Sequence, residues 1–496
     1  MVTRFFTKDR QRAQRIFKFV IYLLSVSPWF NSNAAEEDYY KLSSVPFPDT
    51  LKLEVSGMAA LTGDRMAITI RKGEVWIAEN LSTGKPVYKR FASGLHEPLG
   101  LALHKGDLYT VQRSELTRLR DTNADGRADE YLTYAKGWGV TGNYHEYAYG
   151  PAVDGDGNLW VALNCSIGKG SNPNNRWRGW SLRVKPGGSW EPISGGFRSP
   201  SGIGTNLAGD VFATDQQGNW FPTCPLLHVK RGAFHGHADA LQFTSRPEAT
   251  FKLNQPLPKN LTVAEAAKSI PAYKLPAVWF PYRKMGMSTT DILADSTQGK
   301  FGPFAGQIFC GEFTMSFVSR VFLEKVGGEY QGVCFRFRDG LDCAALRLQW
   351  GVEGSMYIGQ SNRGWNSLGT KSYGLQRLQW TGKVPFEIKS MSVTRNGFRL
   401  SFTQMLDVGT AVTPKSYTLK SYTYPYQSRY GGEPVDLKKH EVKFAGLDEL
   451  GLFINLTVDE LREGYVYELH AHGVRDHKGR PLLHPEAYYT LNRVLK

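Results

Sequence analysis

The sequence predicts an all-β protein in which a six-bladed β-propeller is followed by a C-terminal immunoglobulin-like β-sandwich. A hairpin pattern, made of an apolar strand, a glycine turn and a second alternating strand, recurs between residues 51 and 380. The composition includes 52 Gly, 24 Tyr and 12 Trp, which is typical of a turn-rich, aromatic-rich β protein. The stretch with a helical apolar period is TVAEAAKSI, residues 262–270.

Residues 1–35 predict a signal peptide. Six basic residues precede the apolar run FVIYLLSVSPWF, and the small residues Ser32, Ala34 and Ala35 follow it. A basic start, a short apolar segment and small residues at the end are typical of an export signal. We therefore expect a periplasmic or extracellular protein, with an uncleaved anchor as the less favoured alternative. No later apolar run reaches spanning length, so the mature chain should have no stable membrane span.

Six copies of the hairpin pattern predict the propeller over residues 45–383. The copies are MAITIRKGEVWIAE, PLGLALHKGDLYTVQ, PAVDGDGNLWVAL, SGIGTNLAGDVFAT, FAGQIFCGEFTMSFVSRVFL and LRLQWGVEGSMYIGQ. At about 55 residues each, they fit a four-stranded blade with one long loop. Closure of the blades into a ring would gather the loops of one face around a central channel. Seven blades is the alternative.

The pattern changes near Lys383, and residues 385–496 predict the sandwich. Alternating strands such as FRLSFTQML, SYTLKSY, LGLFINLTV and YVYELHAHGV are separated by closely spaced turns. The closing GVRDHKGRPL resembles the last hairpin of immunoglobulin-like domains on secreted bacterial proteins. This domain is a candidate surface for a protein partner. Strand alternation and turns explain His470, His472 and His477 better than a metal site does.

Charge and cysteine content exclude some functions. The formal net charge is +14, and removing residues 1–34, with six basic residues and one acidic, leaves about +9. This charge is spread without a basic block, so no nucleic-acid partner is expected. The five cysteines form no CxxC pair, which argues against a structural zinc site and covalent haem. One or two disulfides could form in an exported chain, and the odd count leaves a thiol over.

A calcium loop is predicted at residues 121–129. The oxygen ligands are supplied by Asp121, Asn123, Asp125, the carbonyl of Arg127 and Asp129, with Gly126 turning the loop. This spacing is the one by which Ca²⁺ collects six or more oxygens. An ordinary Asp/Asn-rich turn is the alternative. The calcium would have a structural role.

His145 and Glu146 are the candidate residues for proton transfer. A histidine beside a carboxylate can take a proton from a hydroxyl near neutral pH. One such pair is weak evidence by itself, because loop histidines are often simply packed.

The order of motifs around this pair resembles the glucose/sorbosone dehydrogenase family. A histidine loop is followed by a DGNLW hairpin, then FRSPSG, DQQGNW and KRGAFHGH. The resemblance covers about residues 50–380 and implies a secreted six-bladed propeller that uses pyrroloquinoline quinone (PQQ) and calcium. GLHEPLGLA, RLRDTNADGRADEY, SRVFLEKVGGEYQG and SNRGW are similar to a planctomycete and verrucomicrobial branch of such propellers.

The resemblance also implies roles for single residues. His145 matches the proton-abstracting histidine, although a gap-free alignment places Glu146 there. Arg198 matches the arginine beside the quinone. The other implied cofactor and calcium contacts are Gly218 and Asn219 through their carbonyls, Trp220 next to them, and His235 and His237.

Two departures from the family weaken the match to PQQ. The family's lysine aligns near Thr314, and only Arg347 lies near its lost arginine pair. PQQ carries three carboxylates, so missing cations should weaken its binding.

Three functions follow from these residues. The first is an oxidoreductase-like propeller acting on a sugar or polyol, with His145 or Glu146 as base, and the sequence favours it narrowly. The second is a non-catalytic carbohydrate- or protein-binding propeller. The third is a metal-dependent lactonase or lyase. Convergence of His145, Arg198, His235 and His237 on one channel mouth would favour an enzyme.

Overall fold

The computed structural model describes residues 36–168, 176–253 and 255–495. The all-β class is confirmed, since 45% of the chain is strand and 6% is helix. The predicted signal peptide, residues 1–35, lies outside the described residues. No helix in the described part is both long enough and apolar enough to cross a membrane.

Six antiparallel units of four strands, which we number as sheets 1 to 6, follow one another along the described chain, and the fifth belongs to a larger sheet. Sheet 1 contains β2 (Val55–Leu61), β3 (Arg65–Ile70), β4 (Glu74–Glu79) and β5 (Val87–Ala92). Sheet 2 contains β6 (Leu101–His104), β7 (Asp107–Val111), β8 (Glu115–Arg120) and β9 (Glu130–Lys136). Sheet 3 contains β10 (Ala148–Val153), β11 (Leu159–Leu163), β12 (Trp180–Val184) and β13 (Trp190–Gly195).

The next three sheets continue the series. Sheet 4 contains β14 (Gly202–Thr205), β15 (Val211–Thr214), β16 (Cys224–His228) and β18 (Val278–Phe280). Sheet 5 contains β19 (Thr289–Ala294), β20 (Ile308–Glu312), β21 (Phe317–Val326) and β22 (Glu329–Arg338). Sheet 6 contains β23 (Ala345–Trp350), β24 (Met356–Ser361), β25 (Tyr373–Trp380) and the first strand of the chain, β1 (Tyr40–Ser44).

The first strands of the six sheets form a closed ring. β2 contacts β6, β6 contacts β10, β10 contacts β14, β14 contacts β19, β19 contacts β23, and β23 contacts β2. β1 pairs antiparallel with β25, in the register Tyr40↔Trp380, so an N-terminal strand completes the last sheet. A ring of radially placed sheets is the architecture of a β-propeller.

Two further sheets form a two-layer sandwich after the ring. One contains β26 (Ile388–Thr394), β27 (Gly397–Phe402), β32 (Phe453–Val458) and β31 (Val442–Leu447). The other contains β34 (Glu486–Leu491), β33 (Tyr465–His470), β28 (Thr418–Thr423) and β30 (Val435–His440). One apolar core, which includes the fully buried Ile388, Leu400 and Tyr489, lies between them.

The sandwich is joined to sheet 5. β34 pairs with β22, so sheet 5 and the second sandwich layer form one eight-stranded sheet. At this junction the buried Arg320 donates to the carbonyls of Ile388 and Lys389 at 2.8 and 3.0 Å. The bonds hold the start of the sandwich against the ring.

Short helices and a small sheet complete the described structure. The predicted helical stretch is confirmed as α1 (Val263–Ser269), which begins at a capping box formed by Thr262 and Glu265. The remaining short elements are α2 (Val408–Ala411), the 3₁₀ helices Leu81–Thr83, Ala238–Phe243 and Pro414–Ser416, and a two-stranded sheet of β17 (Leu261–Thr262) and β29 (Pro425–Tyr426). The five cysteines are buried and unpaired, so the disulfides that the sequence allowed are not formed.

Candidate functional site

The segments that carry most of the predicted site lie at one end of the ring. His145 precedes β10, Arg198 precedes β14, and Arg113 lies between β7 and β8. In an antiparallel sheet, the connection into the first strand and the turn after the second strand lie at the same end. We call this end the mouth face. Burial first, and then the charges of Arg198 and Arg113, lower the pKa of His145, so His145 is neutral near pH 7.

The segment before His145 is fixed by a buried arginine. Arg178 donates to the carbonyls of Gly139, Tyr147 and Arg113 at 2.9, 2.6 and 3.0 Å. Burial lowers the pKa of Arg178 to about 10, which leaves it charged at neutral pH. Arg178 therefore ties the two ends of the histidine loop to the turn of the neighbouring sheet.

Glu146 stabilises the same loop through hydrogen bonds to its carboxylate. Its carboxylate accepts hydrogen bonds from the N–H and hydroxyl of Thr141, both at 2.6 Å, and from the Ser166 hydroxyl at 2.7 Å. Burial opposes ionisation, but these donors keep the pKa of Glu146 below its ordinary value. Both oxygens of Glu146 are engaged and the residue is fully buried, so Glu146 stabilises this loop.

Arg198 is held by a tight turn over a buried carboxylate. Asp215 accepts hydrogen bonds from the backbone N–H groups of Arg198 and Ser199 at 2.8 and 2.7 Å. Burial raises the pKa of Asp215 to about 6 in spite of these donors. These two bonds fix the backbone of the FRSPSG segment at Arg198.

The Arg198 guanidinium is buried but poorly satisfied. The residue is 7% exposed, and its Nε has no hydrogen-bond partner in the described structure. Nη1 donates to the Ser199 hydroxyl at 3.2 Å and, at 3.5 Å, to the carbonyl of Gln217. No carboxylate of the described residues lies within 4.0 Å of the guanidinium. A buried guanidinium without a direct ion pair is a group that an anionic ligand could stabilise.

A loop of the sandwich covers one side of the mouth face. The N–H of Trp220 donates to Gln427 O at 2.9 Å, and the Asn219 side chain donates to Ser428 O at 2.8 Å. The carbonyl of Gly218 accepts the N–H of Gly431 at 2.9 Å and that of Phe221 at 3.2 Å. The sandwich is therefore part of the site, and the Gly218 carbonyl is already occupied.

Two aromatic side chains stand around this opening. The ring of Tyr430 lies 5.3 Å from the Arg198 guanidinium carbon, and the ring of Tyr144 lies 5.6 Å from the His145 ring. The Tyr144 hydroxyl packs against Gly364, where a Cβ would approach it to 2.7 Å. Tyr144 and Tyr430 are each more than half exposed. We call Arg198, His145 and these aromatic side chains the mouth.

A second arginine group lies beside the mouth. Arg71 donates to Glu97 at 2.9 Å, and Arg113 also bonds Glu97 and lies over the ring of Tyr147 at 4.3 Å. Burial opposes ionisation of Glu97, but the two arginines lower its pKa below the ordinary value. Two cations share one carboxylate, so this group also carries positive charge.

The two histidines of GAFHGH separate in the structure. His235 is buried against Phe197, contacts the Ser194 hydroxyl at 3.1 Å, and lies behind the mouth. His237 lies with Cys165 and Asp239, and burial followed by the Arg198 charge lowers its pKa to about 3. The structure therefore brings His145, Arg198 and His237 to one region and leaves His235 in the core.

Arg347 closes the centre of the ring. It donates to carbonyls of four sheets, those of Ser56 at 2.9 Å, Ser201 at 2.9 Å, Leu346 at 2.7 Å and Leu99 at 3.3 Å. It also lies 5.1 Å from the Tyr149 ring, beside a cavity of about 50 Å³. All three guanidinium nitrogens of Arg347 therefore donate to carbonyls, which gives it a structural role, and its contact with a cofactor stays a prediction.

The Asp121–Asp129 loop lies away from the mouth. It connects β8 to β9, the third and fourth strands of sheet 2, and so is at the opposite end of the ring. Asp121, Asn123, Asp125 and Asp129 all accept backbone N–H groups within the loop, and Arg127 donates one of them. Its three carboxylates are not among the described groups whose ligand atoms lie within 4.8 Å of one another.

The mouth does not fit calcium-bound PQQ as the resemblance implies. PQQ would need cations to pair with its three carboxylates. Arg347, however, donates to backbone carbonyls, and Arg71 and Arg113 are both paired with Glu97. The Gly218 carbonyl, implied as a calcium ligand, already accepts two N–H groups. Arg198 differs from these arginines, because its guanidinium has no carboxylate partner and its buried Nε has no hydrogen-bond partner in the described structure.

Several residues of the site carry no motif of their own. Arg178, Tyr430 and Cys165 come from segments that are distant in sequence from His145 and Arg198. Asp215 stands at the start of DQQGNW, and an acid directly after a strand was the available indication that it organises a neighbouring turn. No sequence pattern predicts that Arg178, Tyr430 and Cys165 belong to the site.

Comparison with solved structures finds sugar dehydrogenases. A Thermus thermophilus protein assigned as an oxidoreductase (glucose dehydrogenase) is 18% identical, covers 68% of this chain and 99% of its own, and has a TM-score of 0.49. The soluble aldose sugar dehydrogenase of Escherichia coli is 14% identical, covers 68% of this chain and 99% of its own, and has a TM-score of 0.46. The PQQ-bound aldose sugar dehydrogenase of Streptomyces coelicolor is 16% identical, covers 68% of this chain and 98% of its own, and has a TM-score of 0.46.

Sequence comparison places the chain in a family. No curated protein is similar enough in sequence to count as a relative. A family model described as a domain of unknown function (DUF7133) matches residues 87–336, which is half of the chain. The protein belongs to this family.

Proposed function

We propose that the mouth binds a sugar or polyol that carries a carboxylate, such as a uronic acid. The observation that carries this proposal is Arg198, a residue only 7% exposed, whose guanidinium has a buried, unpaired Nε and no carboxylate within 4.0 Å among the described residues. An arginine fork is suited to a carboxylate, which can accept two parallel N–H groups.

The surroundings of Arg198 support a sugar rather than a bare anion. The faces of Tyr430 and Tyr144 offer apolar surfaces for the C–H face of a sugar ring. Hydroxyl groups of the same ring would find polar partners at Gln217 and the backbone of the loops. A ligand with one acidic group and one amphipathic ring would use both parts of the mouth.

Proton transfer at His145 is the second function that the geometry favours. His145 is half-buried, neutral near pH 7 and within the field of Arg198, so it can accept a proton from a hydroxyl of a ligand held there. This step fits the oxidoreductase-like activity on a sugar that the sequence favours, with an external electron acceptor. A non-catalytic recognition site and a lactonase or lyase would use the same binding step.

The remaining expectations from the sequence are part of this proposal. We interpret the closed ring as a six-bladed propeller and the two-layer domain as immunoglobulin-like, with a surface for a protein partner. Export to the periplasm or exterior, and a structural calcium ion at Asp121–Asp129, also remain proposals. N-terminal sequencing of the secreted protein tests export, and calorimetric titration with Ca²⁺ tests the calcium site.

The test of the main proposal is calorimetric titration of the mature protein with D-glucuronate and D-glucose. The two sugars differ only in whether carbon 6 is a carboxylate, so glucose is the matched control. We expect binding of glucuronate and at least about tenfold weaker binding of glucose, since a charged hydrogen bond is worth roughly 1.5–3 kcal/mol. Equal affinity for both would contradict the role of Arg198. Dye reduction that disappears in His145→Gln, with glucuronate binding retained, would establish the proton-transfer step.

A further inference from the structure

A buried cysteine, a buried histidine and an exposed aspartate meet at the edge of the mouth. The ligand atoms of Cys165, His237 and Asp239 lie within 4.8 Å of one another. Cys165 is 1% exposed and His237 5%, whereas Asp239 faces solvent. We propose that these three residues bind a zinc ion. This site does not depend on the sugar-binding proposal.

Two separate segments of backbone position the three ligands. Cys165 follows β11, and its N–H donates to Arg198 O at 2.9 Å, so the thiol is fixed relative to the mouth. The N–H of His237 donates to Gly196 O at 2.9 Å. Asp239 lies in the first turn of the 3₁₀ helix that His237 caps.

One glycine allows these segments to approach each other. Gly196 has a φ of 95°, and a Cβ there would lie 2.6 Å from the backbone N of His235. A side chain at this position would therefore push the GAFHGH segment away from the strand that leads to Arg198. The close approach is built into the backbone, and it brings the His237 ring to Cys165.

The donor set is one that zinc prefers. Zinc takes thiolate, imidazole and carboxylate ligands together, whereas magnesium and calcium take oxygen ligands alone. Bonds of about 2.0–2.3 Å in a tetrahedral site place ligand atoms roughly 3.3–3.8 Å apart, so only small shifts from the present separations are needed. Three protein ligands leave a fourth position for water or for a ligand in the mouth.

The charges also balance. A cysteine binds zinc as the thiolate, so the Cys165 thiol must lose its proton. Zinc displaces this proton to solvent as the sulfur–zinc bond forms, so binding releases one proton. The thiolate and the Asp239 carboxylate together cancel the two charges of zinc. The positive Arg198, which lies close enough to influence all three ligands, therefore does not oppose the ion.

A second cluster in the sandwich provides a comparison. The ligand atoms of His470, His472 and Glu486 also lie within 4.8 Å of one another. There, however, His470 is held between Glu468 at 2.8 Å and Glu486 at 3.5 Å, which raises its pKa to about 9. A histidine that is a cation at neutral pH, with both ring nitrogens engaged, is a poor metal ligand.

The experiment titrates the chelator-treated, full-length mature protein with Zn²⁺ by calorimetry and with Co²⁺ by absorption spectroscopy. We expect one ion per chain and a thiolate-to-cobalt charge-transfer band. The band should be absent in Cys165→Ser and present in Cys343→Ser, which removes another buried thiol. Asp239→Asn should weaken zinc binding by more than the roughly 10–100-fold that loss of an outer-shell partner costs.

Other outcomes would overturn the site. No band in the wild-type protein, or zinc binding that survives Cys165→Ser, would contradict it. Loss of binding in His472→Gln, with binding retained in Cys165→Ser, would place the ion on the sandwich instead. Thermal melts of each variant show whether it is folded, and His237→Gln serves as a second ligand variant. Arg198→Gln should keep zinc and lose glucuronate, so the two proposals fail separately.

Discussion

Arg198 and Arg347 are both buried arginines of the ring, at 7% and 5% exposure, and the sequence assigns both to a cofactor. In the structure they differ in how their donors are used. Arg347 donates to carbonyls of Ser56, Ser201, Leu346 and Leu99, so it joins four sheets at the centre. Arg198 has an unpaired Nε and lies beneath the exposed ring of Tyr430.

The difference shows that burial and residue type do not by themselves identify a binding residue. A buried guanidinium whose N–H groups are satisfied by carbonyls contributes to stability, because its removal strands those carbonyls. A buried guanidinium that keeps an unsatisfied donor is a cost to the fold, which a bound anion would offset. Variants of the two classes should therefore separate into effects on stability and effects on binding.

The largest expected effect is on stability, in Arg347→Met. Methionine fills much of the space but leaves four buried carbonyls without their donor. We expect a loss of roughly 3–5 kcal/mol in the free energy of unfolding, because each buried carbonyl left without a donor costs about 1–3 kcal/mol. Chemical denaturation measures this loss, and glucuronate affinity of the folded variant should stay within about twofold. A variant of wild-type stability that no longer binds glucuronate would make Arg347 a ligand contact instead.

The next largest effect is a pH dependence of the free energy of unfolding, which we expect from His484, a buried cation whose two ring nitrogens are both paired. It contacts Glu387 at 2.6 Å and Glu36 at 2.9 Å. Burial alone would lower its pKa, but these carboxylates raise the pKa of His484 to about 10. Because the pKa of His484 is higher in the folded protein than in the unfolded chain, protonated His484 stabilises the fold. This stabilisation is complete below the unfolded pKa of about 6.5, and it is lost as the pH rises towards the folded pKa of about 10.

Urea denaturation between pH 6 and 10 tests this dependence. We expect the wild-type protein to lose stability across that interval, and His484→Gln to be less stable at pH 6 and to change less with pH. The same slope in both proteins would show that other groups carry it.

An intermediate effect on both properties is expected for Arg178→Lys. Arg178 holds the histidine loop through three carbonyls, and lysine cannot reach all three in the same plane. We expect a loss of about 1–3 kcal/mol in stability and weaker glucuronate binding. Arg183→Lys, at a partly exposed pair with Glu191, is the control and should change neither. Unchanged binding in Arg178→Lys would separate the loop from the mouth.

The smallest effect is expected for Tyr430→Ala. Its ring is 63% exposed, so its removal should leave the melting temperature unchanged. Loss of a stacking face should weaken glucuronate binding roughly 2- to 10-fold, the factor that corresponds to about 0.5–1.5 kcal/mol. Tyr430→Phe should retain the affinity, since it keeps the ring. If Tyr430→Phe loses as much as Tyr430→Ala, the hydroxyl group and not the ring face binds the ligand.

Local patterns predicted much of the fold, because strands, turns and the α1 capping box depend on neighbours in sequence. The hairpin copies are strand pairs, although MAITIRKGEVWIAE and FAGQIFCGEFTMSFVSRVFL fall on second and third strands and the others on first and second. Successive strands of an antiparallel sheet have similar patterns, which hides such a shift.

The site was less predictable because its contacts join distant segments. DQQGNW was recognised as a loop of the site, but the sandwich residues that bond it lie about 200 positions later, as in the Asn219–Ser428 pair. The same holds for Arg347, whose partners lie on three other sheets. Only the folded structure shows which donors are already used.

The most direct test of the contrast between Arg198 and Arg347 is a set of four calorimetric titrations. D-Glucuronate and D-glucose are each added to the wild-type protein and to Arg198→Gln, with unfolding measured in parallel. We predict that the preference for glucuronate is lost in Arg198→Gln, while the variant is as stable as the wild-type protein or more so. A preference that survives the substitution, or a large loss of stability without a change in preference, would contradict the assignment of Arg198 as the carboxylate-binding residue.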